Sequence, residues 1–129
     1  MLNRIITLDE VDSTNNYLKL NRGELPDGTL VTARIQTAGK GRRGHEWLAD
    51  QGMLPLSLLL KQPPHPDTLT LCAGVAVCEA LEPLLPGEEL GIKWPNDIIL
   101  HGHKLCGMLC EGVCFGSSMD IVCGIGVNL

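Results

Sequence analysis

The chain has 129 residues, of which 44% are hydrophobic and 19% charged, with a formal net charge of −5 at pH 7. This length fits a single domain, residues 1–129, that is large enough to bury a hydrophobic core. The acidic balance argues against nucleic-acid binding, which requires a basic surface. No signal sequence is visible at the N-terminus, and the longest apolar run, residues 54–60, is too short to span a bilayer. We therefore expect a cytoplasmic protein that contacts neither nucleic acid nor membrane.

The N-terminal part of the chain predicts a strand, a helix and a second strand. Residues 4–8 form a short run rich in β-branched side chains, which is typical of a strand. Residues 12–15 are all N-cap formers, so a helix is expected to start there and to run through Leu20. Gly23 and residues 26–28 end this helix and turn the chain. Thr29–Gln36 alternates and is expected to form a strand.

The middle of the chain predicts a buried strand and one long helix. Residues 54–60 fit the strand, and the rigid proline-rich segment 63–66 separates it from the helix. The helix is expected to open at Asp67 and to end before Pro83. Four apolar residues at helical spacing predict its buried face: Leu71, Val75, Cys78 and Leu81.

The C-terminal part of the chain predicts four more strands, at residues 90–93, 97–100, 104–114 and 119–127. His101, Gly102 and His103 fit a hairpin turn between two of them. Strands outnumber helices, so we predict an α+β fold. No internal repeat or low-complexity tract occurs.

Six cysteines raise the question of metal or disulfide chemistry. Cys106, Cys110 and Cys114 recur at every fourth position, but the C-x-x-C pairs typical of zinc sites are absent. Within a strand this spacing places all three on one face, where thiols behave as small hydrophobic groups. We predict cysteines that pack in the core, with metal ligation or a disulfide as the alternative.

The segment from Gln36 to Trp47 combines glycine with positive charge. Its three glycines allow positive φ angles and close backbone approach to a ligand: Gly39, Gly41 and Gly44. Its three cations are interleaved with them: Lys40, Arg42 and Arg43. The spacing is not that of a Walker A loop, and no βαβ context supports a dinucleotide fold. The segment is expected to be a mobile loop that folds over a phosphate or a carboxylate.

Four other segments are polar or rich in glycine beside apolar strands: residues 13–15, 93–97, 104–107 and 124–128. Each also has a purely structural interpretation. Residues 13–15 fit a helix cap, and residues 93–97 fit a proline turn with a half-buried Trp94. Gly124 and Gly126 fit a strand bulge, and Lys104 alone fits a solvated lysine.

Taken together and in this order, the five segments resemble the catalytic domain of biotin protein ligases, also called biotin–[acetyl-CoA-carboxylase] ligases. Residues 13–15 are similar to the family's Ser-Thr-Asn segment, and residues 36–44 resemble its Gly-Arg-Gly-Arg-Arg-Gly loop, with Trp47 in the expected place. Residues 93–97, Lys-Trp-Pro-Asn-Asp, match its signature pentapeptide. The motifs Lys-Leu-x-Gly-x-Leu-x-Glu at 104–111 and Gly-Ile-Gly-Val-Asn at 124–128 complete the set.

The resemblance implies a fold and a two-step reaction. The fold is a mixed, mostly antiparallel β-sheet backed by helices, similar to the catalytic domains of class II aminoacyl-tRNA synthetases. Biotin and ATP, the latter with Mg²⁺, give biotinyl-5′-AMP and pyrophosphate. A lysine of a biotin carboxyl carrier domain then attacks the adenylate. A homodimer is possible, because the exposed edges of a sheet permit pairing.

The resemblance also implies roles for individual residues. Arg42, Lys104 and Asp97 are the expected catalytic residues, with the two cations at the carboxylate and α-phosphate and Asp97 near the incoming amine. The expected biotin-binding residues are Ser13, Thr14, Asn15, Gln36, Gly39, Lys40, Arg42, Lys104, Gly107 and Gly124. The expected ATP-binding residues are Lys40, Arg42, Arg43, Trp47, Lys93, Asn96 and Asn128. No metal ligand is implied.

The sequence departs from the family pattern at several points. Lys40 replaces an arginine, and residues 53–57 lack the usual aromatic residue of the biotin pocket. Family members continue beyond the asparagine matched by Asn128, so we expect a catalytic domain shortened at the C-terminus. We expect neither an N-terminal helix-turn-helix domain nor a C-terminal β-barrel domain. A biotin-binding module without transfer activity and a lipoate–protein ligase remain the alternatives.

Overall fold

A seven-stranded sheet and two helices account for most of the residues described in the computed structural model, which are 2–47 and 52–128. In chain order the elements are β1 (Arg4–Val11), α1 (Thr14–Asn21), β2 (Thr29–Gln36), β3 (Met53–Leu60), α2 (Leu69–Leu81), β4 (Leu90–Lys93), β5 (Asp97–Leu100), β6 (His103–Phe115) and β7 (Ser118–Asn128).

The strands lie in the order β1-β2-β3-β7-β6-β5-β4. Strands β1 and β2 are parallel, and the other neighbours pair antiparallel. The predicted mixed, mostly antiparallel sheet backed by helices is confirmed. Strand β1 continues three residues beyond the predicted end at residue 8, because its parallel register with β2 extends to the pair Val11 and Gln36.

The two helices cover opposite faces of the sheet, and each face has its own apolar core. Leu18 of α1 packs with Val31, Leu59 and Val122 on the first face. Cys78 of α2 belongs to the second cluster, which includes Cys106, Met108 and Val127. Because neighbouring residues of a strand point to opposite faces, β7 supplies side chains to both cores.

Helix α1 begins at the predicted position. Ser13 is its N-cap in an extended conformation, and the Ser13 hydroxyl accepts a hydrogen bond from the Asn16 amide at 3.3 Å. Such a cap satisfies one of the amides that the first turn of a helix leaves without a partner. Ser13, Thr14 and Asn15 are all buried, which is unusual for three consecutive polar residues.

Helix α2 corrects two predictions. A short 3₁₀ turn, Pro66–Thr68, precedes it, so the α-helix begins at Leu69 rather than at Asp67. Leu71 and Val75, predicted on the buried face, are exposed, whereas Gly74 and Cys78 are buried. The helix sequence is apolar on almost every side, so its periodicity does not mark the face that packs on the sheet.

The cysteines fit the core prediction only in part. Cys78, Cys106 and Cys123 are buried and Cys110 is half-buried, but Cys72 and Cys114 are exposed. Cys114 lies near the outer end of β6, where no helix covers the sheet, so position on the face alone does not bury it. All six thiols are free.

In the described part of the chain, neither helix has the length and apolar character needed to cross a lipid bilayer.

Candidate functional site

A shallow cleft, open to solvent, lies on the face of the sheet that carries α1. It lies over the middle of the sheet, where the N-terminus of α1 meets β3, β7 and β6. Its lining consists of Ser13, Thr14, Asn15, Gln36, Lys40, Gly41, Arg42, Trp47, Pro55, Leu56, Asn96, Lys104, Gly107, Met108, Leu109, Gly124, Ile125 and Gly126.

The floor of the cleft is a network of buried polar side chains. Gln36 Oε1 accepts a hydrogen bond from the Thr14 amide at 2.9 Å and also lies 3.2 Å from Thr14 Oγ1. Ser57 of β3 is fully buried behind them, with its Oγ 2.7 Å from Thr14 Oγ1 and 2.5 Å from Asn15 Oδ1. Buried polar groups are stable only when they are hydrogen-bonded, so these contacts hold the side chains in one arrangement.

Asn15 links this floor to an ion pair at the edge of the cleft. Its Nδ2 donates to the Leu109 carbonyl at 3.2 Å and to Glu111 Oε1 at 2.9 Å. Glu111 Oε2 in turn lies 3.0 Å from Lys19 Nζ. Burial raises the pKa of the Glu111 carboxyl, but the hydrogen bonds from Asn15 and Lys19 outweigh it, so the pKa falls below its ordinary value.

Gly124 of β7 makes the position of Asn15 possible. A Cβ built at residue 124 would overlap the Asn15 amide group. Only glycine therefore lets the Asn15 side chain lie flat on the strand.

The glycine-rich loop is a small closed hairpin. Lys40 and Glu46 form an isolated antiparallel bridge, and the Trp47 amide donates to the Gly39 carbonyl at 2.7 Å. Its tip is a 3₁₀ turn, Arg42–Gly44, in which Arg43 takes a positive φ of 58°. Backbone hydrogen bonds close the loop in this conformation, and its predicted mobility stays a prediction. Arg42 and Lys40 project from this hairpin to the cleft and are exposed.

Gly39 lies at the base of this hairpin. A Cβ at residue 39 would overlap both the Trp47 carbonyl oxygen and the Gln36 amide nitrogen. Its absence lets Gln36 Nε2 donate to the Trp47 carbonyl at 3.3 Å. Gly39 therefore fixes the orientation of Gln36 without lining the cleft.

Trp47 lies inside the cleft, over two glycines. A Cβ at residue 126 would overlap the indole, and one at residue 107 would lie 3.2 Å from Trp47 Cζ3. Lys104 Nζ stands 4.9 Å from the centre of the indole ring, a distance typical of a cation–π contact. The buried Trp47 Nε1 has no hydrogen-bond partner among the described residues.

Lys104 and Asp97 form an ion pair at the side of the cleft. Lys104 Nζ lies 3.2 Å from Asp97 Oδ1, but this oxygen has no well-aligned hydrogen bond among residues 2–47 and 52–128. The contact is therefore electrostatic. The Lys104 backbone is held by Asn128, whose Nδ2 donates to the Lys104 carbonyl at 2.8 Å.

The pentapeptide at 93–97 forms the turn between β4 and β5. The Trp94–Pro95 peptide bond is cis, and Asn96 Nδ2 donates to the Met108 carbonyl at 3.0 Å, which holds the turn against β6. Trp94 was expected to be half-buried in a structural turn but is 74% exposed.

Most of the candidate residues named from the sequence line this cleft. They are Ser13, Thr14, Asn15, Gln36, Lys40, Arg42, Trp47, Asn96, Lys104, Gly107 and Gly124. Five others lie outside the lining: Gly39, Arg43, Lys93, Asp97 and Asn128. Of these, Gly39, Asp97 and Asn128 each contact a lining residue directly, whereas Arg43 and Lys93 are exposed.

Residues 53–57 were placed at the biotin pocket from the sequence, but none of them was named as a site residue, although Pro55, Leu56 and Ser57 of β3 belong to the site. Pro55 and Leu56 line the cleft, and Ser57 lies beneath it. One signal was available, since a serine between leucines in a strand predicted to be fully apolar needs a buried hydrogen-bond partner.

No group of three His, Cys, Asp or Glu side chains suited to a metal ion occurs in the part of the chain that the structure describes.

Comparison of the sequence with protein families identifies a family that it matches along nearly its whole length. The model of the Biotin/lipoate A/B protein ligase family matches residues 8–128, which include every segment that lines the cleft.

Known proteins show the same similarity. The chain is 41% identical to the biotin–[acetyl-CoA-carboxylase] ligase of Paracoccus denitrificans, over 95% of this chain and 53% of that protein. It is 37% identical to the bifunctional ligase/repressor BirA of Escherichia coli, over 97% of this chain and 40% of that protein. The chain thus spans about half or less of the length of these relatives.

A solved structure resembles the fold along nearly the whole chain. It is the biotin protein ligase from Aquifex aeolicus in complex with biotin and ATP, with a TM-score of 0.78 and 35% identity. The similarity covers 99% of this chain and 53% of that one.

Proposed function

Because the chain belongs to the biotin/lipoate A/B protein ligase family, we propose that residues 1–129 are catalytic-domain sequence of a biotin protein ligase. The reaction is the ATP-dependent activation of biotin as biotinyl-5′-AMP, followed by transfer of biotin to a lysine of a biotin carboxyl carrier domain. One observation carries the proposal: a buried polar floor and a group of three cations share one cleft.

The polar floor suits the ureido head of biotin. Ser13, Thr14 and Gln36 bring hydroxyl and amide groups to the inner end of the cleft. Pro55 supplies apolar contact beside them, in place of the aromatic residue expected there. A small apolar site with a few fixed polar groups is the usual form of a pocket that recognises one small molecule.

The cations suit the reacting end of the substrates. Attack of the biotin carboxylate on the α-phosphate of ATP brings two anions together, and fixed positive charge offsets their repulsion. Lys40, Arg42 and Lys104 all line the cleft and are positioned to do so. Trp47 and Asn96 lie next to them and are the proposed contacts of the adenine and the nucleotide. Gly107 and Gly124 are proposed to contribute backbone groups to the biotin pocket.

Asp97 is the proposed orienter or proton acceptor for the incoming lysine amine. Its carboxylate is half-buried, and its buried Oδ1 lies 3.2 Å from Lys104 Nζ at the side of the cleft. A carboxylate beside the reacting groups can orient an amine that arrives with the second substrate or accept its proton. Arg43, Lys93 and Asn128 are proposed to act around the nucleotide phosphates, Asn128 through the backbone of Lys104.

Mg²⁺ is proposed to arrive with ATP. Magnesium in such sites is held largely by substrate phosphates and water, with few protein carboxylates. The residues present fit this form of binding, because the cleft offers cations to the phosphates and Asp97 as a single carboxylate. A cytoplasmic location, the absence of a nucleic-acid partner, and pairing of two copies through the edge strands β1 or β4 stay predictions.

The test combines the purified chain with biotin, MgATP and a carrier domain, and follows the carrier by mass spectrometry. We expect pyrophosphate release and one biotinylated lysine, with no transfer to a carrier whose acceptor lysine is replaced by arginine. Biotin binding without either product would identify a binding module, and preferential use of lipoate would identify a lipoate–protein ligase. A folded chain that binds and activates neither compound would overturn the proposal.

A further inference from the structure

The hydrogen bonds beneath the cleft have a defined direction, which starts at the Asn15 amide. Asn15 Nδ2 faces the Leu109 carbonyl and a Glu111 carboxylate oxygen, and both of these groups only accept. An amide nitrogen with two protons fits both partners, whereas an amide oxygen fits neither. The Asn15 oxygen must therefore point the other way, towards Ser57.

The orientation of the Asn15 amide determines to which atoms the Ser57 and Thr14 hydroxyl groups donate their protons. Asn15 Oδ1 cannot donate, so the single proton of Ser57 is used in the 2.5 Å contact between them. The 2.7 Å contact between Ser57 and Thr14 then requires the proton of Thr14. Gln36 Oε1, which accepts from the Thr14 amide, lies 3.2 Å from the Thr14 hydroxyl and is the more distant second acceptor for the same proton. The Thr14 hydroxyl is left with lone pairs only, so it faces a ligand as an acceptor.

The Ser13 hydroxyl, in contrast to that of Thr14, is available to a ligand as a hydrogen-bond donor. Its oxygen accepts the capping hydrogen bond from the Asn16 amide, and its proton has no acceptor among the described residues. The proton is therefore free to point into the cleft, which Ser13 lines. A donor at Ser13 next to an acceptor at Thr14 matches a carbonyl group next to an N–H, the pattern of a urea.

We propose that Ser57 and Glu111 are positioning residues that set the direction of these hydrogen bonds and so make Thr14 an acceptor for a ureido N–H. Neither residue lines the cleft. The inference rests on the proposed function for the identity of the ligand. The inference adds that Ser57 and Glu111, which do not touch the ligand, make the site prefer a ligand N–H to a ligand oxygen opposite Thr14.

The test compares biotin with analogues in which one or the other ureido N–H is replaced by a ring oxygen, using titration calorimetry. The wild-type chain should strongly prefer biotin over the analogue that places oxygen against Thr14. Ser57→Ala removes the nearer acceptor of the Thr14 proton and leaves only Gln36 Oε1 at 3.2 Å, so the proton can also turn to the ligand. The preference should then shrink by up to about tenfold, the value of one buried hydrogen bond. Ser117→Ala, in the exposed turn between β6 and β7, is the matched control and should keep the wild-type preference.

Glu111→Gln is the second variant, because a glutamine amide can donate to Asn15 and so removes one of the two acceptors that fix the Asn15 orientation, leaving the Leu109 carbonyl alone. It should shift the preference in the same sense even where Ser57→Ala is poorly folded. Wild-type binding of biotin with an unchanged preference in both variants would overturn this inference alone. No binding of biotin by the folded wild-type chain would overturn the proposed function and this inference with it.

An independent observation concerns two cysteines on the opposite face of the same strands. Cys110 and Cys123 are direct cross-strand partners in β6 and β7, and their sulfur atoms lie 3.0 Å apart. Antiparallel partners have Cα atoms about 4.5–5.5 Å apart, which falls within the roughly 4.4–6.8 Å that disulfides span. The spacing of the pair is therefore compatible with a disulfide.

The two thiols differ in reactivity. The hydrogen bond from Cys123, opposed by burial and assisted by Thr70, lowers the pKa of Cys110 to about 7. The same hydrogen bond and burial raise the pKa of Cys123. Cys110 is also the more exposed of the two. The thiolate is the form that reacts with oxidants, so Cys110 is the residue that reacts first.

We infer that Cys110 and Cys123 are a site of reversible oxidation to a disulfide, with a peroxide as oxidant. The Cys110 thiolate attacks one peroxide oxygen, the O–O bond breaks, and the hydroxide that leaves takes up a proton to become water. The Cys123 sulfur then attacks the resulting sulfenic acid, loses its own proton, and displaces a second water as the S–O bond breaks. Two thiols are oxidised and one hydrogen peroxide is reduced to two waters.

The experiment treats the chain with hydrogen peroxide, blocks remaining thiols with iodoacetamide, and measures the mass of each cysteine peptide. Both Cys110 and Cys123 should be protected from alkylation and joined with the loss of two hydrogens, and dithiothreitol should reverse this. In Cys123→Ser the joined peptide should be absent, and dimedone should trap a sulfenic acid at Cys110. Cys114→Ser, which removes an exposed thiol, is the control and should leave the joined pair intact. Full alkylation of both residues after peroxide treatment would overturn the inference, whether or not the chain binds biotin.

Discussion

Replacing Arg42 by alanine should slow the formation of biotinyl-5′-AMP by about 10²–10³-fold, the usual loss when one group that stabilises developing negative charge is removed. Arg42 lines the cleft from the tip of the glycine-rich hairpin. Its side chain forms no ion pair with another described residue, so its positive charge is available to the substrates. Pyrophosphate release under saturating biotin and ATP measures the effect.

Folding should not change in the Arg42→Ala variant. The hairpin is closed by backbone hydrogen bonds, including the one that the His45 amide donates to the Arg42 carbonyl at 3.2 Å, and alanine retains these. Arg34→Ala is the matched control, because it removes the same charge from an exposed position of β2 that does not line the cleft. Arg34→Ala should keep nearly the activity of the wild type. Equal activity of the Arg42→Ala variant and the wild type would contradict the role given to this hairpin.

Replacing Gly124 by alanine should lower the free energy of unfolding by about 2 kcal/mol, as overpacking of a buried site does. The new Cβ would overlap the Asn15 amide, which has no free space to move into because Ser57 and Glu111 hold it on both sides. Displacing Asn15 also disturbs Thr14 through Ser57, so biotin affinity should fall by at least about 100-fold, the sum of two or more buried hydrogen bonds. Denaturant unfolding and calorimetry measure the two effects.

Gly91→Ala is the matched control for this substitution. Gly91 also lies in a strand, β4, but the nearest atom to a Cβ at this position is the Ile99 carbonyl oxygen at 4.0 Å. An added methyl group meets no obstacle there, so both stability and biotin affinity should stay close to those of the wild type. If Gly124→Ala behaved like Gly91→Ala, Asn15 would not be the fixed element described above.

Local signals in the sequence were sufficient for several elements. The cap at Ser13 follows from the side chain of a single residue, and the bounds of β2, β4 and β5 follow from runs of residues adjacent in the chain. The buried face of α2 followed only in part: Cys78 is buried as predicted, but Leu71 and Val75 are exposed, because the sequence offers no polar stripe to mark the outer side. The sheet against which α2 packs selects Gly74 as a further inner residue.

The candidate site was also predictable from the sequence only in part. The motifs named most of the residues that line the cleft, because the resemblance ties each motif to a ligand. Ser57 and its link to Asn15 lie outside any motif, and the two residues are 42 positions apart. Contacts of this kind depend on the pairing of distant strands, which no local pattern contains. The closed shape of the glycine-rich loop was also missed, since glycine content indicates conformational freedom but not the hydrogen bonds that use it.

Strands β6 and β7 each serve two sites, and this limits how the chain can change in evolution. Gly107, Leu109 and Gly124 line the cleft, while their immediate neighbours Cys110 and Cys123 point to the other face. Insertion or deletion of one residue within either strand would exchange the two faces. The thiols would then point into the ligand site and the glycines into the core. Changes in length are tolerable only in the turn at residues 116–117, so these strands can diverge by substitution alone.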